Sequence, residues 1–345
     1  MAIYLFALII SFLFNALLIV PFINFLYKLR FQRATQRTKD IFEKPTPIFD
    51  FFHQKKTGTP VGGGILLIFT TTFIYLLFLF SFILFGKKVY SNYPDFISEI
   101  KIILFTFIVF SFLGLFDDLN KIFFWKKTNF FGLRFRHKLF FEIILALIPS
   151  FWLYSELKIR IVHIPFFGIY NLSFFYILFA AFVIVSFANA VNITDGLDGL
   201  ASGVLMITLT SFWVISRSIL DMPTSFFIAI WLGGLIAFLY FNIHPARIFL
   251  GDAGALSFGA TLAVIGLLLG KPFALPIIGG VFVIEILSSL IQILGKKFLK
   301  RKIFPVAPFH LWLQLKGWEE PKIVMRLWLT SIVLAIFGLM IAFMK

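Results

Sequence analysis

Residues 172–199 read LSFFYILFAAFVIVSFANAVNITDGLDG, an uncharged apolar run that ends in asparagines, glycines and two aspartates. An apolar run of about 20 residues is long enough to cross a lipid bilayer as an α-helix. The stretch therefore predicts a membrane span whose end carries polar side chains next to water. Apolar runs followed by polar clusters recur along the rest of the chain.

The composition extends this interpretation to all 345 residues, since 60% are hydrophobic and only 14% are charged. A soluble domain carries roughly 25% charged residues. We predict an all-α polytopic membrane protein, a single domain over residues 1–345, with about ten transmembrane helices. The predicted spans are 3–26, 62–85, 101–116, 138–154, 172–190, 200–218, 224–241, 254–270, 275–296 and 324–343. Cysteine is absent, which excludes disulfides and thiolate metal sites.

Lysine and arginine are distributed unevenly between the two sides of the membrane. Most of the 31 lie on loops that follow odd-numbered spans. The other side keeps Lys87, Lys88, Lys101, Lys158, Arg160, Arg217, Lys271 and Lys345. The positive-inside rule makes the basic side cytoplasmic and places both termini outside. On the outer side, residues 158–164 alternate weakly in polarity and predict a short surface hairpin.

Five aspartates lie at span ends. Asp117 and Asp118 end the third predicted span, Asp195 and Asp198 follow the fifth, and Asp252 follows the seventh. Two spans separate neighbouring clusters, so all five carboxylates reach the cytoplasmic face. Carboxylates at membrane depth are costly unless they are paired, metal-bound or facing water. Each could alone be a solvated helix end or an Asp-Gly turn, but together they predict a shared, cation-neutralised site.

The spacing of the polar residues adds to this prediction. Asn189, Asn192, Asp195 and Asp198 are three residues apart, so on a helix they share a face. The adjacent Asp117 and Asp118 diverge by roughly 100° on a helix and are expected to differ in role. Carboxylate oxygens suit Mg²⁺, whereas a chain without cysteine and with five histidines offers little for zinc.

Two cytoplasmic loops contain further candidates. The first ends in Lys55, Lys56 and Thr59 beside several glycines, a composition that suits anionic phosphates. The last, residues 296–326, is basic and aromatic and holds His310. A lone histidine in such a loop is more often structural than catalytic, and the loop would equally suit anionic lipid headgroups.

The polar motifs resemble those of a known family of membrane transferases. The segments Asp117-Asp118-Leu-Asn-Lys121, Asn189-Ala-Val-Asn192-Ile-Thr-Asp195-Gly-Leu-Asp198-Gly and Leu250-Gly251-Asp252-Ala-Gly254 are similar to signatures of polyprenyl-phosphate N-acetylhexosamine-1-phosphate transferases. The segments His53…Gly58-Thr59-Pro60 and Ala307-Pro308-Phe-His310…Lys316-Gly317-Trp318 resemble phospho-N-acetylmuramoyl-pentapeptide transferases within that group. The resemblance covers the whole chain.

This resemblance implies that phospho-N-acetylmuramoyl-pentapeptide passes from its UDP donor to undecaprenyl phosphate, giving lipid I and UMP for peptidoglycan synthesis. It implies Mg²⁺ as cofactor, a bacterial cytoplasmic membrane, an active site facing the cytoplasm and contacts with membrane lipids. A homodimer is left open, and no nucleic acid partner is expected. The implied roles are Asp252 as Mg²⁺ ligand; Asp117 as base or positioning group beside Asp118; Asn192, Asp195 and Asp198 at the nucleotide-sugar cleft; Asn242 and Phe249 at the uracil; and Lys55 or Lys56, Lys121 and His310 at phosphates. Asn189 and Thr59 are implied as further substrate-binding residues.

One motif departs from the family pattern. The family has three consecutive histidines and an acid two residues later, whereas this chain has His310-Leu311-Trp312-Leu313-Gln314. The departure leaves the donor open between the muramoyl pentapeptide and GlcNAc or a related sugar for another cell-envelope polymer. A direct transfer and a covalent aspartyl-phosphate route also stay open. A polyanion transporter is the alternative from another class, but its ion sites would lie near mid-membrane rather than at span ends.

Overall fold

The computed structural model describes residues 1–32, 42, 45–124 and 133–344. The predicted cytoplasmic cations Arg33, Arg37, Lys39, Lys44, Lys126 and Lys127, the terminal Lys345 and the side chain of Lys55 lie outside the described part. The elements in chain order are α1 (Ala2–Lys28), α2 (Pro47–His53), α3 (Gly63–Leu84), α4 (Phe96–Leu119), α5 (Phe135–Ser155), β1 (Ile161–Ile164), β2 (Gly168–Asn171), α6 (Phe175–Thr194), α7 (Leu200–Ser218), α8 (Met222–Asn242), α9 (Gly251–Leu268), α10 (Leu275–Ile278), α11 (Gly280–Phe298), α12 (Phe309–Leu315) and α13 (Glu320–Phe343). A 3₁₀ turn, Gln54–Lys56, follows α2, and a π-helical turn, Asn120–Phe124, continues α4.

The all-α membrane architecture predicted from the sequence is confirmed. Within the described residues, 9 helices are long and apolar enough to cross a membrane. They are α1, α3, α4 with its π-helical turn, α5, α6, α7, α8, α9 and α13, which match nine of the ten predicted spans. The predicted hairpin is also present, with β1 and β2 antiparallel and Ile161 opposite Asn171.

The remaining predicted span, 275–296, is not one continuous helix. It divides at Gly279 into the four-residue α10 and the 19-residue α11. The sequence explains the division, because Pro276 lies in the first turn of α10 and two glycines follow it. Helix α11 carries Glu285, Lys296 and Lys297 and is not among the 9 described helices that are long and apolar enough to cross a membrane. Both termini lie on one side of the membrane only if α11 also crosses it, so the predicted orientation remains a prediction.

Helix α9 forms the centre of the molecule, with all 18 of its residues buried. Glycines let its neighbours approach closely, as in other membrane helix interfaces. A Cβ on Gly64 of α3 would lie 2.2 Å from the Cα of Gly254, and one on Gly114 of α4 would lie 2.1 Å from the carbonyl oxygen of Asp252. These contacts fix the first turn of α9, and with it Asp252, against the start of α3 and the last turns of α4.

A second polar region lies at the opposite ends of the spans from Asp252. Glu99, near the start of α4, and Asp221, which precedes α8, are both fully buried. Glu99 accepts hydrogen bonds from the hydroxyls of Ser91 and Thr224, each at 2.6 Å. Burial, together with the charge and hydrogen bond of Glu99, raises the pKa of Asp221 to about 8.

Candidate active site

Two aspartates and two lysines, Asp117, Lys121, Lys138 and Asp252, meet where α4, α5 and α9 come together; we call them the Asp252 cluster. The Nζ of Lys121 lies 3.0 Å from Asp117 Oδ2 and 2.8 Å from Asp252 Oδ2. The Nζ of Lys138 lies 3.2 Å and 2.7 Å from the same two oxygens. The two carboxylates therefore face one position and are neutralised by two ammonium groups.

Local structure explains how the cluster is positioned. Asp117 and Lys121 are one helical turn apart, and the backbone N–H of Leu133 donates to Asp117 Oδ1 at 2.6 Å. Gly251 has a φ of +79°, a conformation that favours glycine. The neighbouring Asp118 accepts a hydrogen bond from the backbone N–H of Ala253 at 3.1 Å and so ties the start of α9 to α4. The two adjacent aspartates thus make different contacts, as their helical spacing suggested.

A second group, Lys56, Asp198 and Glu320, joins three segments that are distant in sequence; we call it the Lys56 cluster. Lys56 Nζ lies 2.8 Å from Asp198 Oδ1 and 2.5 Å from Glu320 Oε1. Glu320 Oε1 also accepts the backbone N–H of Asp198 at 2.6 Å. His244 Nδ1 lies 3.0 Å from Asp198 Oδ2. Burial opposes ionisation of the Asp198 carboxyl. The charge of Lys56 and the hydrogen bonds that Asp198 accepts outweigh burial, so the pKa of Asp198 is lowered.

His53 lies beside this cluster at the end of α2. Its ring nitrogens are 2.9 Å from the carbonyl oxygens of Phe49 and Gly196, and its ring stacks on that of Phe49. Burial and the charge of Lys56 lower the pKa of His53 to about 4. The two carbonyl oxygens favour the imidazolium and act in the other direction, but they do not outweigh these effects. At neutral pH the ring is therefore neutral and donates to only one of the two carbonyls.

A cleft of about 640 Å³ separates the two clusters. Predicted site residues that line it are Lys56, Thr59, Asn192, Asp195, Asp198, Phe249 and Asp252. The segment just before α3 forms one wall through backbone hydrogen bonds. The N–H groups of Gly62 and Gly63 donate to the carbonyl of Phe249, and the N–H of Phe249 donates to that of Pro60. The cleft is thus lined by an aromatic ring, by polar side chains and by Asp252 of the Asp252 cluster.

A larger groove of about 2840 Å³ adjoins the cleft and shares Asn192, Asp195 and Asp252 with it. Lys121 and His310 also line this groove. Its far end is strongly basic, with lining residues Lys296, Lys297, Lys300, Arg301 and Lys302. The reactive carboxylates and lysines therefore stand where a compact polar cleft meets a long basic groove.

Three predicted site residues are not placed in the cleft as expected. Asn242 is 2% exposed, and its amide accepts from the hydroxyl of Ser202 and donates to the carbonyl of Ile248, so it supports the loop before α9. Asn189 donates to the buried carboxylate of Glu142. For Lys55, the side chain lies outside the described part.

His310 differs in its surroundings from the two residues that follow it. His310 is 1% exposed, its Nδ1 lies 3.0 Å from Glu285 Oε2, and it lines the groove. Leu311 is buried, and Trp312 packs against Phe309 and under the ammonium of Lys316. Neither is among the described residues that line the cleft or the groove. The two residues that replace histidines therefore do not line either of them.

Lys138 and Glu320 are functional candidates that the sequence analysis did not select. Lys138 was assigned only to a basic loop, although its spacing of four residues from Glu142 on α5 could have signalled a buried pair. Glu320 gave no comparable signal, because its partners lie 264 and 122 residues away in the chain.

The Asp252 cluster fits a hard divalent cation. Oxygens of Asp117 and Asp252 converge on one position, and Mg²⁺ prefers such oxygens together with phosphate and water. Asp198, His244 and Glu320 also offer ligand atoms within 4.8 Å of one another. Lys56 contacts Asp198 and Glu320 there, just as Lys121 and Lys138 contact the carboxylates of the Asp252 cluster, so ammonium groups balance the charge at both places.

Comparisons with known proteins agree with these observations. The family model described as glycosyl transferase family 4 matches residues 100–270. Relatives named phospho-N-acetylmuramoyl-pentapeptide-transferase include one from Oceanobacillus iheyensis, 35% identical over 96% of both chains. Those from Bacillus pumilus and Caldanaerobacter subterraneus subsp. tengcongensis are 32% and 36% identical, over 98% and 81% of this chain and 97% and 83% of their own. The chain belongs to the phospho-N-acetylmuramoyl-pentapeptide transferase family.

Proposed function

We propose that this protein transfers phospho-N-acetylmuramoyl-pentapeptide from its UDP donor to undecaprenyl phosphate, giving lipid I and UMP. The observation that carries the proposal is the Asp252 cluster, in which paired lysines and carboxylates stand between a compact cleft and a long groove. Phosphoryl transfer requires in-line positioning and charge neutralisation more than covalent chemistry by the protein. The cluster offers both at a single position.

The cleft suits the nucleotide of the donor. We assign the uracil to the ring of Phe249, because base–aromatic stacking is a common source of nucleotide affinity. Thr59, Asn192 and Asp195 supply polar contacts along the same cleft. The diphosphate then points toward Lys121 and Lys138, whose ammonium groups balance its charge.

In the reaction, an oxygen of the lipid phosphate attacks the sugar-linked phosphorus of the donor, and the bond from that phosphorus to the UMP oxygen breaks. A phosphate monoester, with a second pKa of about 6, is mostly ionised at neutral pH and needs little help from a base. Asp117 contacts both lysines, and this favours its role as the group that positions them. We therefore propose direct transfer without an aspartyl-phosphate intermediate.

Mg²⁺ is the proposed cofactor, with Asp252 and Asp117 as its protein ligands. When bound, it would neutralise charge on the diphosphate oxygens. Lys121 and Lys138, which hold these carboxylates in the described arrangement, would then turn toward phosphate. Asp252→Asn should abolish both the activity and the Mg²⁺-dependent rise in melting temperature, and an unchanged Mg²⁺ shift would contradict the assignment.

We further propose that the protein resides in the bacterial cytoplasmic membrane with the active site on the cytoplasmic side. The excess of lysine and arginine on loops at that end of the spans supports this orientation. UDP-linked donors are made inside the cell, so the cleft must open there. Accessibility of single cysteines, introduced into this naturally cysteine-free chain, tests the orientation in intact cells.

The decisive experiment is a UMP-release assay with purified protein, undecaprenyl phosphate and Mg²⁺. UDP-MurNAc-pentapeptide and UDP-GlcNAc are offered separately as donors. We expect UMP from the first and little from the second. UMP release only from UDP-GlcNAc would identify UDP-GlcNAc as the donor in place of UDP-MurNAc-pentapeptide. Release from neither would overturn the transferase proposal.

A further inference from the structure

Glu320 lies in the first turn of α13, far in sequence from the other residues of the cleft. Its Oε1 lies 2.5 Å from Lys56 Nζ and accepts the backbone N–H of Asp198 at 2.6 Å. One carboxylate oxygen thus connects the first cytoplasmic loop with the loop between α6 and α7. Both loops supply lining residues to the cleft.

Lys56 is engaged within the protein in this arrangement. Its ammonium group donates hydrogen bonds to Glu320 Oε1 at 2.5 Å and to the carbonyl oxygen of Gly196 at 3.2 Å. The same Nζ lies 2.8 Å from Asp198 Oδ1, with which it forms an ion pair. Its side chain is only 15% exposed, and those of Asp198 and Glu320 are 5% and 11% exposed. Lys56 therefore acts here as a cross-link between loops rather than as a ready phosphate contact.

From these contacts we infer that Glu320 is a positioning residue for the nucleotide end of the donor. It holds Lys56 and the backbone of Asp198 so that the Asp195–Asp198 loop forms the cleft wall opposite Phe249. The inference rests on the proposed transferase function. It predicts that Glu320 affects donor binding, while the Asp252 cluster, which Glu320 does not contact in the described structure, carries out the transfer.

A purely electrostatic role for Glu320 predicts the opposite change in the donor KM when its charge is removed. Lys56, Asp198 and Glu320 together carry one positive and two negative charges. Removing the charge of Glu320 would then reduce repulsion of an anionic donor and lower its KM. The positioning role predicts a higher KM, because Lys56 loses an acceptor and the loop loses part of its anchor.

The test compares Glu320→Gln with Glu319→Gln in the UMP-release assay. Glu319 is adjacent and exposed, so its substitution removes the same charge from nearly the same place without touching the cluster. We expect Glu320→Gln to raise the donor KM about tenfold, the effect of one lost charge-assisted hydrogen bond. The kcat and the KM for undecaprenyl phosphate should change little, and Glu319→Gln should match the wild type.

Two further variants separate positioning from general loss of stability. Glu320→Asp keeps the charge on a shorter side chain and should restore part of the donor affinity. The double variant Lys56→Gln/Glu320→Gln should raise KM by less than the product of the single effects, because both changes break the same cross-link.

The possible outcomes are distinct. An unchanged or lowered donor KM in Glu320→Gln overturns the inference while the proposed function stands. A fall in kcat alone, or equal effects of Glu319→Gln and Glu320→Gln, overturns it as well. If the wild type releases no UMP from either donor, the proposed function itself fails.

Discussion

Replacement of Asp221 by asparagine should reduce a pH-dependent loss of stability. Asp221 is fully buried beside the buried carboxylate of Glu99. The phenols of Tyr4, Tyr75 and Tyr93 also lie near Asp221, and the guanidinium of Arg217 lies 4.2 Å from the ring centroid of Tyr4. Burial and the repulsion of Glu99 raise the pKa of Asp221 despite this cation. The acid pair therefore retains a proton in the folded protein that the unfolded chain releases.

The magnitude follows from the pKa of Asp221, which burial and Glu99 raise from 3.8 to about 8. Between these values the folded state binds more protons than the unfolded state, so stability falls as pH rises. The stabilisation is complete below pH 3.8 and is lost by about pH 8. The slope is about 1.4 kcal/mol per pH unit. From pH 6.5 to pH 8 the free energy of unfolding should fall by about 2 kcal/mol.

This pH window also avoids the contribution of His53. The pKa of His53 falls from 6.5 to about 4 on folding, so His53 changes stability only below about pH 6.5. Asparagine has nearly the shape of a protonated aspartate and cannot ionise. Asp221→Asn should therefore lose less stability than the wild type between pH 6.5 and pH 8.

The assay is unfolding of the purified protein in detergent at pH 6.5, 7.2 and 8.0, read from tryptophan fluorescence. Asp95→Asn is the matched control, because Asp95 is exposed at the same end of α4 and its lowered pKa places its titration below this window. If wild type and Asp221→Asn show parallel pH dependence, Asp221 does not carry the proton and the reasoning fails.

Three further predictions concern the site. Lys138→Met should lower the rate of UMP release about a hundredfold or more, because Asp117 and Asp252 then share one ammonium group. The control is Arg136→Gln, a change at an exposed neighbour, which should leave the initial rate unchanged. Phe249→Ala should raise the donor KM about tenfold through lost stacking, and an equal rise in the KM for undecaprenyl phosphate would argue against a nucleotide role. Trp312→His should leave the donor KM unchanged within about twofold; tighter donor binding would show that the histidine motif reaches the donor.

Counting spans was sufficient to bring five aspartates to one face of the membrane, since helices of similar length end at similar heights. It did not predict which of them meet. Asp117 and Asp252 share one cluster, whereas Asp198 belongs to the other.

Other features depend on lateral packing, which span counting does not provide. Lys138 belongs to the site because α5 lies beside α4, and Glu320 because α13 begins beside the loop after α6. Asn242 has the residue type expected for a ligand contact but is used within the protein, by Ser202 and Ile248. The division of the span 275–296 reflects a local proline and two glycines, which the length and apolarity of that stretch obscured.

The charges of the two clusters suggest how one site can accept a highly charged donor in a membrane. In the Asp252 cluster two lysines balance two aspartates, so the buried site is neutral before a donor arrives. With the proposed Mg²⁺ bound, a diphosphate would add little net charge, and Lys121 and Lys138 would exchange carboxylate contacts for phosphate contacts. The Lys56 cluster differs, because its single lysine contacts two carboxylates and a backbone carbonyl that all belong to the protein. Exchange of partners is therefore expected at the reacting end of the cleft and a fixed scaffold at the nucleotide end.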